Sequence, residues 1–291
     1  MTDRGVLIQG LSPRLSVALG PIREGNRALA NATVAAGTNA TMVIDTMISP
    51  ALMVEARTEA ERLGAGRPVA YLLNSHGDAD HLLGNGLFPD AEVIAHRTVR
   101  DLFADPESRA RYESVMANQA KGHEGSELAA SFVLRPPDTI FENEILVDLG
   151  GLTALCSYVG PAHSVADSIV WLEQESAVVA ADLVFNGAFP LLRHDLDRWF
   201  AGLALASSYR PAVVVPGHGP VGDALLLERQ REVLERILEA ARGLHAAAVP
   251  IDLAVEQPVP ASLATLALAA ERWPGTLRAA YAYLTGKAAV S

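Results

Sequence analysis

Cysteine is almost absent from this chain of 291 residues, in which Cys156 is the single example. One cysteine excludes an intramolecular disulfide. Cys156 lies inside the apolar run LTALCSYV, which is typical of a strand interior. We therefore predict a small, buried hydrophobic side chain at this position and not a catalytic thiol.

Basic residues are also scarce. Lys and Arg number 23 against 34 Asp and Glu, which gives a formal net charge of −11, and no Lys/Arg cluster interrupts this balance. Nucleic acids bind to basic surfaces, so we expect no nucleic-acid partner. A small-molecule substrate is expected instead, and an anionic one is compatible because bound metal ions would add local positive charge.

Long apolar runs are missing as well. No stretch approaches the ~20 apolar residues that a helix needs to span a bilayer. The N-terminal segment MTDRGVLIQG lacks the basic start and the apolar core of a secretory signal. We therefore expect a cytoplasmic protein with no membrane partner, and the sequence leaves its oligomeric state open.

Half of the residues are apolar, which is enough for one large domain or two modest ones. Apolar runs bounded by turn residues predict strands at 40–46, 69–74, 91–96, 139–149, 152–159, 167–175, 176–182 and 212–216. Helical spacing predicts helices at 50–63, 98–103, 106–120, 195–207, 222–247, 261–273 and 276–289. Because no repeat or flexible linker interrupts the pattern, we predict a single α+β domain over residues 1–291, with the helices of residues 222–291 packed on it.

The segment SHGDADH concentrates four potential metal ligands, His76, Asp78, Asp80 and His81, within six residues. It directly follows a predicted strand, so an extended backbone would place His76 and Asp78 on one side. Asp80 and His81 follow where a short helix is predicted to begin. Imidazole and carboxylate groups both suit a divalent cation. A solvated polar turn is the alternative interpretation, but ligand-type residues at this density favour a metal site.

Three further segments each place one ligand-type residue directly after an apolar run. They are GPAHS around His163, AADLVFNG around Asp182 and VVVPGHGP around His218. Taken singly, each residue could be an ordinary loop or turn residue, but their joint order after the first motif favours convergence on a metal site. Two metal ions ~3.5–4 Å apart can hold a hydroxide and polarise a substrate oxygen at the same time.

These segments resemble the metallo-β-lactamase superfamily, whose pattern is His-x-His-x-Asp-His followed by a His, an Asp and a His. The corresponding positions occur here in the same chain order, between residues 40 and 220. The resemblance implies a four-layer αββα sandwich with two metal ions at one edge of the two sheets. It also implies the ligand sets: His76, position 78 and His163 for the first metal, Asp80, His81 and His218 for the second, and Asp182 as the bridge, as in the glyoxalase-like branch.

Asp78 departs from this pattern, because the superfamily commonly has a histidine there. An additional carboxylate makes bound water less acidic and favours harder metals. The flavodiiron proteins, a redox branch of the superfamily, carry a glutamate at the corresponding position. We therefore expect two divalent ions, with zinc as the first choice and iron or manganese as alternatives, and Asp78 could bind directly, through water or not at all.

The resemblance predicts a hydrolase that directs a metal-bound hydroxide at an ester, lactone, thioester or amide of a small molecule. Asp80 is the predicted proton acceptor as well as a ligand. β-Lactam hydrolysis is not expected, because an exported lactamase would carry a signal segment. The alternative is a non-haem diiron oxidoreductase, which the absence of a flavodoxin-like partner domain opposes.

Residues near the ligands complete the predicted site. Asp45 ends a predicted strand and resembles an aspartate that supports the metal ligands in this superfamily, although a turn-forming role is an equal alternative. Asn186, Arg193 and His194 follow Asp182 on a loop that could overhang the metals. We predict that these three residues contact the substrate, with a surface role in the loop as the alternative for each.

Overall fold

The computed structural model describes residues 5–23 and 27–286 and contains two large β-sheets. The first sheet begins with β1 (Leu7–Ser12) and β2 (Leu15–Leu19), after which a short hairpin forms from β3 (Ile22–Arg23) and β4 (Arg27–Ala28). It continues with β5 (Ala32–Ala36), β6 (Thr41–Ile44), β7 (Tyr71–Asn74), β8 (Glu92–His96) and β9 (Thr139–Phe141).

The two sheets each combine antiparallel and parallel pairing. In the first sheet, β1, β2, β5 and β6 are antiparallel neighbours, whereas β6 to β9 run parallel. The second sheet contains β10 (Glu144–Asp148), β11 (Thr153–Tyr158), β12 (Ser168–Leu172), β13 (Ala177–Phe185) and β14 (Val213–His218). Its strands are antiparallel except for the parallel pair of β13 and β14.

Helices cover the outer faces of the sheets. On the first sheet these are α1 (Val54–Leu63), α3 (Arg97–Ala104) and α4 (Pro106–Ala120), whereas the single turn α2 (Ala79–Leu82) lies in the loop after β7. On the second sheet they are α5 (Leu196–Ser208), α6 (Leu225–Ala246), α7 (Ile251–Ala254) and α8 (Ala269–Leu284). Short 3-10 helices span Pro50–Met53, Leu83–Leu87, Ala129–Ser131 and Glu173–Glu175.

The buried residues divide into layers that follow this arrangement. One apolar core lies between the sheets and joins Met42 and Leu73 of the first sheet to Cys156 and Val170 of the second. A second core lies between the first sheet and α1, and a third packs α5, α6 and α8 on the outer face of the second sheet. The fold is therefore the four-layer αββα sandwich that the motifs predicted, and Cys156 is buried in its centre.

The predicted strand at 139–149 is wrong in one respect, because the chain changes sheets within it. β9 pairs with β8 in the first sheet, whereas β10 pairs with β11 in the second. Glu142 and Asn143 make the crossing, and Asn143 accepts a backbone hydrogen bond from Tyr158. The sequence pattern is continuous here because residues on both sides of the crossing alternate toward the same inter-sheet core.

The predicted helices at 261–273 and 276–289 are also corrected. Residues 261–268 form turns, and Leu268 adopts a left-handed conformation with φ of 65°, which prevents the helix from extending toward the N-terminus. A single helix, α8, then runs through Pro274. Burial of Trp273 and Leu277 against α6 and the second sheet supports this helix despite the internal proline. Residues 287–289 lie outside the described residues.

Among residues 5–23 and 27–286, no helix combines the length and the apolar character that a membrane crossing requires.

Candidate metal centre

The predicted ligands converge at one edge of the sandwich, where strands of both sheets end. The loop after β7 carries His76, Asp78, Asp80 and His81, and His163 lies between β11 and β12. Asp182 lies within β13, and His218 is the last residue of the neighbouring strand β14. A backbone hydrogen bond of 3.0 Å from the Ser168 nitrogen to the Ser75 oxygen ties the two sheets together beside this edge.

The donor atoms form two groups that share the Asp182 carboxylate. In the first group, Oδ2 of Asp182 lies 3.3 Å from Nε2 of His163 and 3.9 Å from Nε2 of His76. In the second group, Oδ2 of Asp80 lies 3.6 Å from Nε2 of His218. Asp182 also reaches the second group, with Oδ1 at 3.2 Å from Nε2 of His81 and Oδ2 at 3.3 Å from Nε2 of His218. This is the position that a bridging ligand needs.

Both groups have the spacing that a metal ion requires. Ligand atoms at ~2.0–2.1 Å from a tetrahedral zinc lie roughly 3.3–3.4 Å apart. The donor atoms of His76, His163 and Asp182 lie within 4.8 Å of one another, and so do those of Asp80, His81 and His218. Only small side-chain movements separate these distances from coordination, so these residues could hold two ions.

Unpartnered polar atoms give an independent test of this fit. Nε2 of His76, Nε2 of His81 and Oδ1 of Asp182 are buried without a hydrogen-bond partner. Such atoms carry a desolvation penalty unless a partner compensates for it. Because all three face the centre of the cluster, a divalent cation there would satisfy them together, and the donor set fits the expected metals.

Asp45 determines which nitrogen of two of these histidines is free to bind metal. Its Oδ2 lies 2.9 Å from Nδ1 of His81 and accepts a 2.8 Å hydrogen bond from the Ser75 hydroxyl. The Ser75 oxygen can then accept a hydrogen bond from Nδ1 of His76, at 2.9 Å. In its neutral form, each ring therefore carries its proton on Nδ1 and directs the Nε2 lone pair at the cluster. The sequence left two roles open for Asp45, support of the metal ligands or formation of a turn, and these contacts agree with the first.

The carboxylates make the cluster strongly attractive to cations. Burial alone would lower the pKa of His81, but the charges of Asp182, Asp45 and Asp80 outweigh burial and hold this pKa well above its usual range. Conversely, burial would raise the pKa of Asp182, whereas His218 and His81 hold it well below its usual range. The same negative field would attract a dication, and binding would displace a proton from imidazole, so we expect affinity to rise with pH.

Asp78, the residue that departs from the superfamily pattern, is paired with an arginine. Its Oδ2 lies 3.3 Å from Nε2 of His163 and 3.7 Å from Nε2 of His76, but only 2.5 Å from Nη2 of Arg193. Burial would raise the pKa of Asp78, but the neighbouring imidazoles of His163 and His76 and the charge of Arg193 together hold this pKa well below its usual range. Asp78 is therefore a carboxylate that forms an ion pair.

Two close approaches of the backbone shape the cluster. A Cβ atom at Gly217 would lie 1.9 Å from Oδ1 of Asp182, so the neighbouring strand has to present a glycine beside this carboxylate. Behind the metal loop, the buried hydroxyl of Tyr112 donates a 2.5 Å hydrogen bond to the Gly77 carbonyl. Tyr112 and α4 thus support the loop from the outside.

A comparison with protein families is consistent with this geometry. The sequence model of the Metallo-beta-lactamase superfamily matches residues 25–218, which include all seven ligand positions. The chain belongs to the metallo-β-lactamase superfamily. Its assignment to the glyoxalase-like branch stays a prediction.

The relatives and solved structures named below share at most 25% sequence identity with the chain. Metallo-beta-lactamase type 2 of Bacteroides fragilis is 25% identical over 120 residues, which are 39% of this chain and 48% of that protein. The chain therefore matches about half the length of this relative. Among solved structures, a metallo-beta-lactamase from Pontibacter korlensis is 19% identical with a TM-score of 0.61, covering 79% of this chain and 99% of its own. A sec-alkylsulfatase from Pseudomonas sp. is 16% identical with a TM-score of 0.68, covering 95% of this chain and 50% of its own.

The residues that were predicted to contact substrate take different positions. Arg193 lies in the first ligand group, with Nη2 only 2.7 Å from Nε2 of His163. His194 is half-buried beside it, and burial followed by the charge of Arg193 lowers its pKa. Asn186 lies at the start of the loop, directly after β13, and donates a 2.7 Å hydrogen bond to the Pro220 carbonyl, which holds the turn after His218.

Sequence reasoning missed one charged residue that lies beside this cluster, Arg272 of α8. Its guanidinium lies 5.5 Å from the ring centre of Phe185, and that ring stacks on His218 with centres 5.3 Å apart. Its only side-chain hydrogen bond within the described part of the chain goes from Nη1 to the Phe189 carbonyl, at 2.6 Å. Arg272 is separated from the motifs by more than 50 residues and lies on an ordinary amphipathic helix, so no local signal points to it.

Proposed function

We propose that this protein is a metal-dependent hydrolase of small molecules that contain an ester, lactone, thioester or amide bond. The observation that supports this most strongly is that the buried Nε2 atoms of His76 and His81 have no hydrogen-bond partner and lie at ligand spacing from carboxylates. Members of the superfamily are generally metal-dependent hydrolases. When bound, divalent metals would activate a water molecule and polarise the substrate carbonyl.

Asp80 is the group that we propose as the proton acceptor. Its side chain is 29% exposed, whereas those of His81 and His218 are at most 3% exposed. Asp80 therefore lies on the open side of the cluster, where water and substrate arrive. Its carboxylate is beside the ligand histidines and can take a proton from a reacting water without moving far.

We propose zinc as the metal in two positions. An acidic residue at position 78 favours harder metals only while its charge is free, and here the Arg193 guanidinium compensates that charge at 2.5 Å. The remaining ligands are four imidazoles and two carboxylates, a donor set that suits zinc. The diiron alternative is not favoured, because it depended on a free carboxylate at position 78 and this carboxylate is paired with Arg193.

We further propose that the substrate carries a negative group that contacts Arg272. This arginine is half-buried against Phe185, which desolvates its guanidinium, and it has no carboxylate partner among the described residues. A partly desolvated guanidinium with free N–H groups binds a carboxylate or a similar anion well. Two esters of equal size, one anionic and one neutral, would test this: Arg272→Ala should raise KM for the anionic ester only.

The experiment that tests the main proposal compares His81→Ala with His245→Ala. His81 is a buried ligand, whereas His245 is exposed near the end of α6 and serves as a matched control. After removal of metal with a chelator and addition of zinc, we expect the native protein and His245→Ala to regain hydrolysis of a panel of esters and lactones. His81→Ala should not. Equal hydrolysis by the chelated and zinc-loaded native protein would refute metal dependence.

A further inference from the structure

The two ligand groups differ in one respect, because the guanidinium of Arg193 lies within the first group and no guanidinium contacts the second group's ligand atoms among the described residues. Nη2 of Arg193 is 2.5 Å from Oδ2 of Asp78 and 2.7 Å from Nε2 of His163. Nε of the same guanidinium donates to the His163 carbonyl at 3.2 Å. Arg193 is thus held by His163 at two points and by Asp78 at a third.

The contact with His163 uses the atom that would bind a metal. Nδ1 of His163 lies 2.9 Å from the Leu191 carbonyl, which can only accept a hydrogen bond. The ring proton is therefore on Nδ1, and Nε2 carries the lone pair. Arg193 donates to that lone pair. A metal ion and a guanidinium N–H cannot use the same lone pair together, so a first-group metal has to displace this contact.

The second group has no such competitor. Nε2 of His81 is buried and has no hydrogen-bond partner, and Asp45 fixes its tautomer from behind. Oδ2 of Asp80 has only the imidazoles of His81 and His218 within 4 Å among the cationic groups of the described residues. A metal entering here would meet no guanidinium on its ligand atoms and would be attracted by the carboxylates of Asp80 and Asp182.

We infer that Arg193 acts as a resident cation of the first ligand group and makes the two metal positions unequal. The inference rests on the proposed metal-dependent hydrolase. The group of Asp80, His81 and His218 binds one ion tightly, with Asp182 beside it. The group of His76, His163 and Asp182 binds a second ion weakly, because that ion must displace the guanidinium and approach a fixed positive charge. Asp78 is the anchor of Arg193 rather than a metal ligand.

Two variants test this role from opposite ends of the ion pair. Arg193→Ala removes the competing cation, and Asp78→His removes its anchor while supplying an imidazole. Arg198→Ala, an exposed arginine on the neighbouring helix α5, is the matched control. Each chelated protein is titrated with Co²⁺, followed by its absorption spectrum, and with Zn²⁺, followed by calorimetry. Elemental analysis after dialysis gives the retained metal.

The native protein and Arg198→Ala should retain one equivalent after dialysis and bind a second one weakly. Arg193→Ala should bind the second equivalent about 10- to 100-fold more tightly, the range that partners of metal ligands usually influence. Asp78→His should retain two equivalents of metal after dialysis. This second variant tests the inference even if Arg193→Ala does not fold. Two equivalents of equal affinity in the native protein, or an unchanged second affinity in both variants, would overturn the inference. Binding of no metal by the native protein would instead refute the proposed function.

Discussion

A single methyl group added to β14 should disrupt the metal centre. Gly217 lies on β14 beside β13, and a Cβ atom there would be 1.9 Å from Oδ1 of Asp182. It would also lie 2.8 Å from the Ala181 carbonyl carbon and 2.9 Å from the Asp182 nitrogen. Real Cβ contacts lie beyond 3.0 Å, so Gly217→Ala has to move the carboxylate by about 1.1 Å or separate the two strands.

The size of this displacement decides the expected effect. Metal coordination tolerates deviations of about 0.2 Å, and a misplacement of ~1 Å in a catalytic group can reduce the rate by about 100-fold. We therefore expect Gly217→Ala to retain less than half of the native metal and to lose activity by about two orders of magnitude. Overpacking should also lower the free energy of unfolding by about 1–3 kcal/mol.

Gly243→Ala is the control for this prediction. Gly243 lies in α6, and a Cβ atom there would meet nothing within 4 Å. Alanine is the better helix former, so this variant should match the native metal content and gain about 0.5–1 kcal/mol in stability. Elemental analysis, thermal unfolding followed by circular dichroism and ester hydrolysis measure the three effects. Native metal content and native activity in Gly217→Ala would refute the reasoning.

Three further changes address the supports of the site and of the fold. Asp45→Asn replaces the carboxylate that accepts hydrogen bonds from Ser75 and His81 with an amide. Metal affinity, measured by competition with a chelator, should therefore fall about 10- to 100-fold. An unchanged affinity would contradict the role of Asp45. Tyr112→Phe removes the hydrogen bond to the Gly77 carbonyl and should lower the free energy of unfolding in urea by about 1 kcal/mol. Burial raises the pKa of Tyr112 to about 12, so this variant should also lose the tyrosine that ionises at the highest pH in an ultraviolet titration. Hydrogen bonding to Arg62, and secondarily to Ser16, lowers the pKa of Glu59 against the effect of burial. Glu59→Gln should therefore be destabilising at neutral pH, and its difference from the native protein should vanish as pH falls through that lowered pKa; an equal difference in acid would show that the charge is irrelevant.

The residues that cluster at this edge of the sandwich were predictable because each of them has a local signal. The spacing within His76–His81 and its position directly after the strand β7 follow from the backbone geometry of a strand that ends in a turn. Asp182 and His218 each follow an apolar run that predicted a strand, and the structure shows that these two strands are parallel neighbours. The αββα architecture followed from the resemblance that these motifs carry, and the layered cores confirm it.

The crossing between β9 and β10 and the helix α8 were not predictable in the same way. Hydrophobic alternation reports which side of a strand is buried, but not which sheet the strand joins, so the change of sheet at Glu142 left no signal. Pro274 is ordinarily a helix boundary, and only the packing of Trp273 and Leu277 against α6 made the helix continuous.

The sequence by itself determined which side chains can bind metal, because those residues lie at fixed positions relative to their strands. The tertiary structure alone decided how they are used. Asp78 and Arg193 are 115 residues apart, and neither identity nor spacing indicates that one neutralises the other. The approach of Gly217 to Asp182 and of Arg272 to Phe185 likewise depends on how strands and helices pack, since a contact between distant segments exists only after the chain has folded.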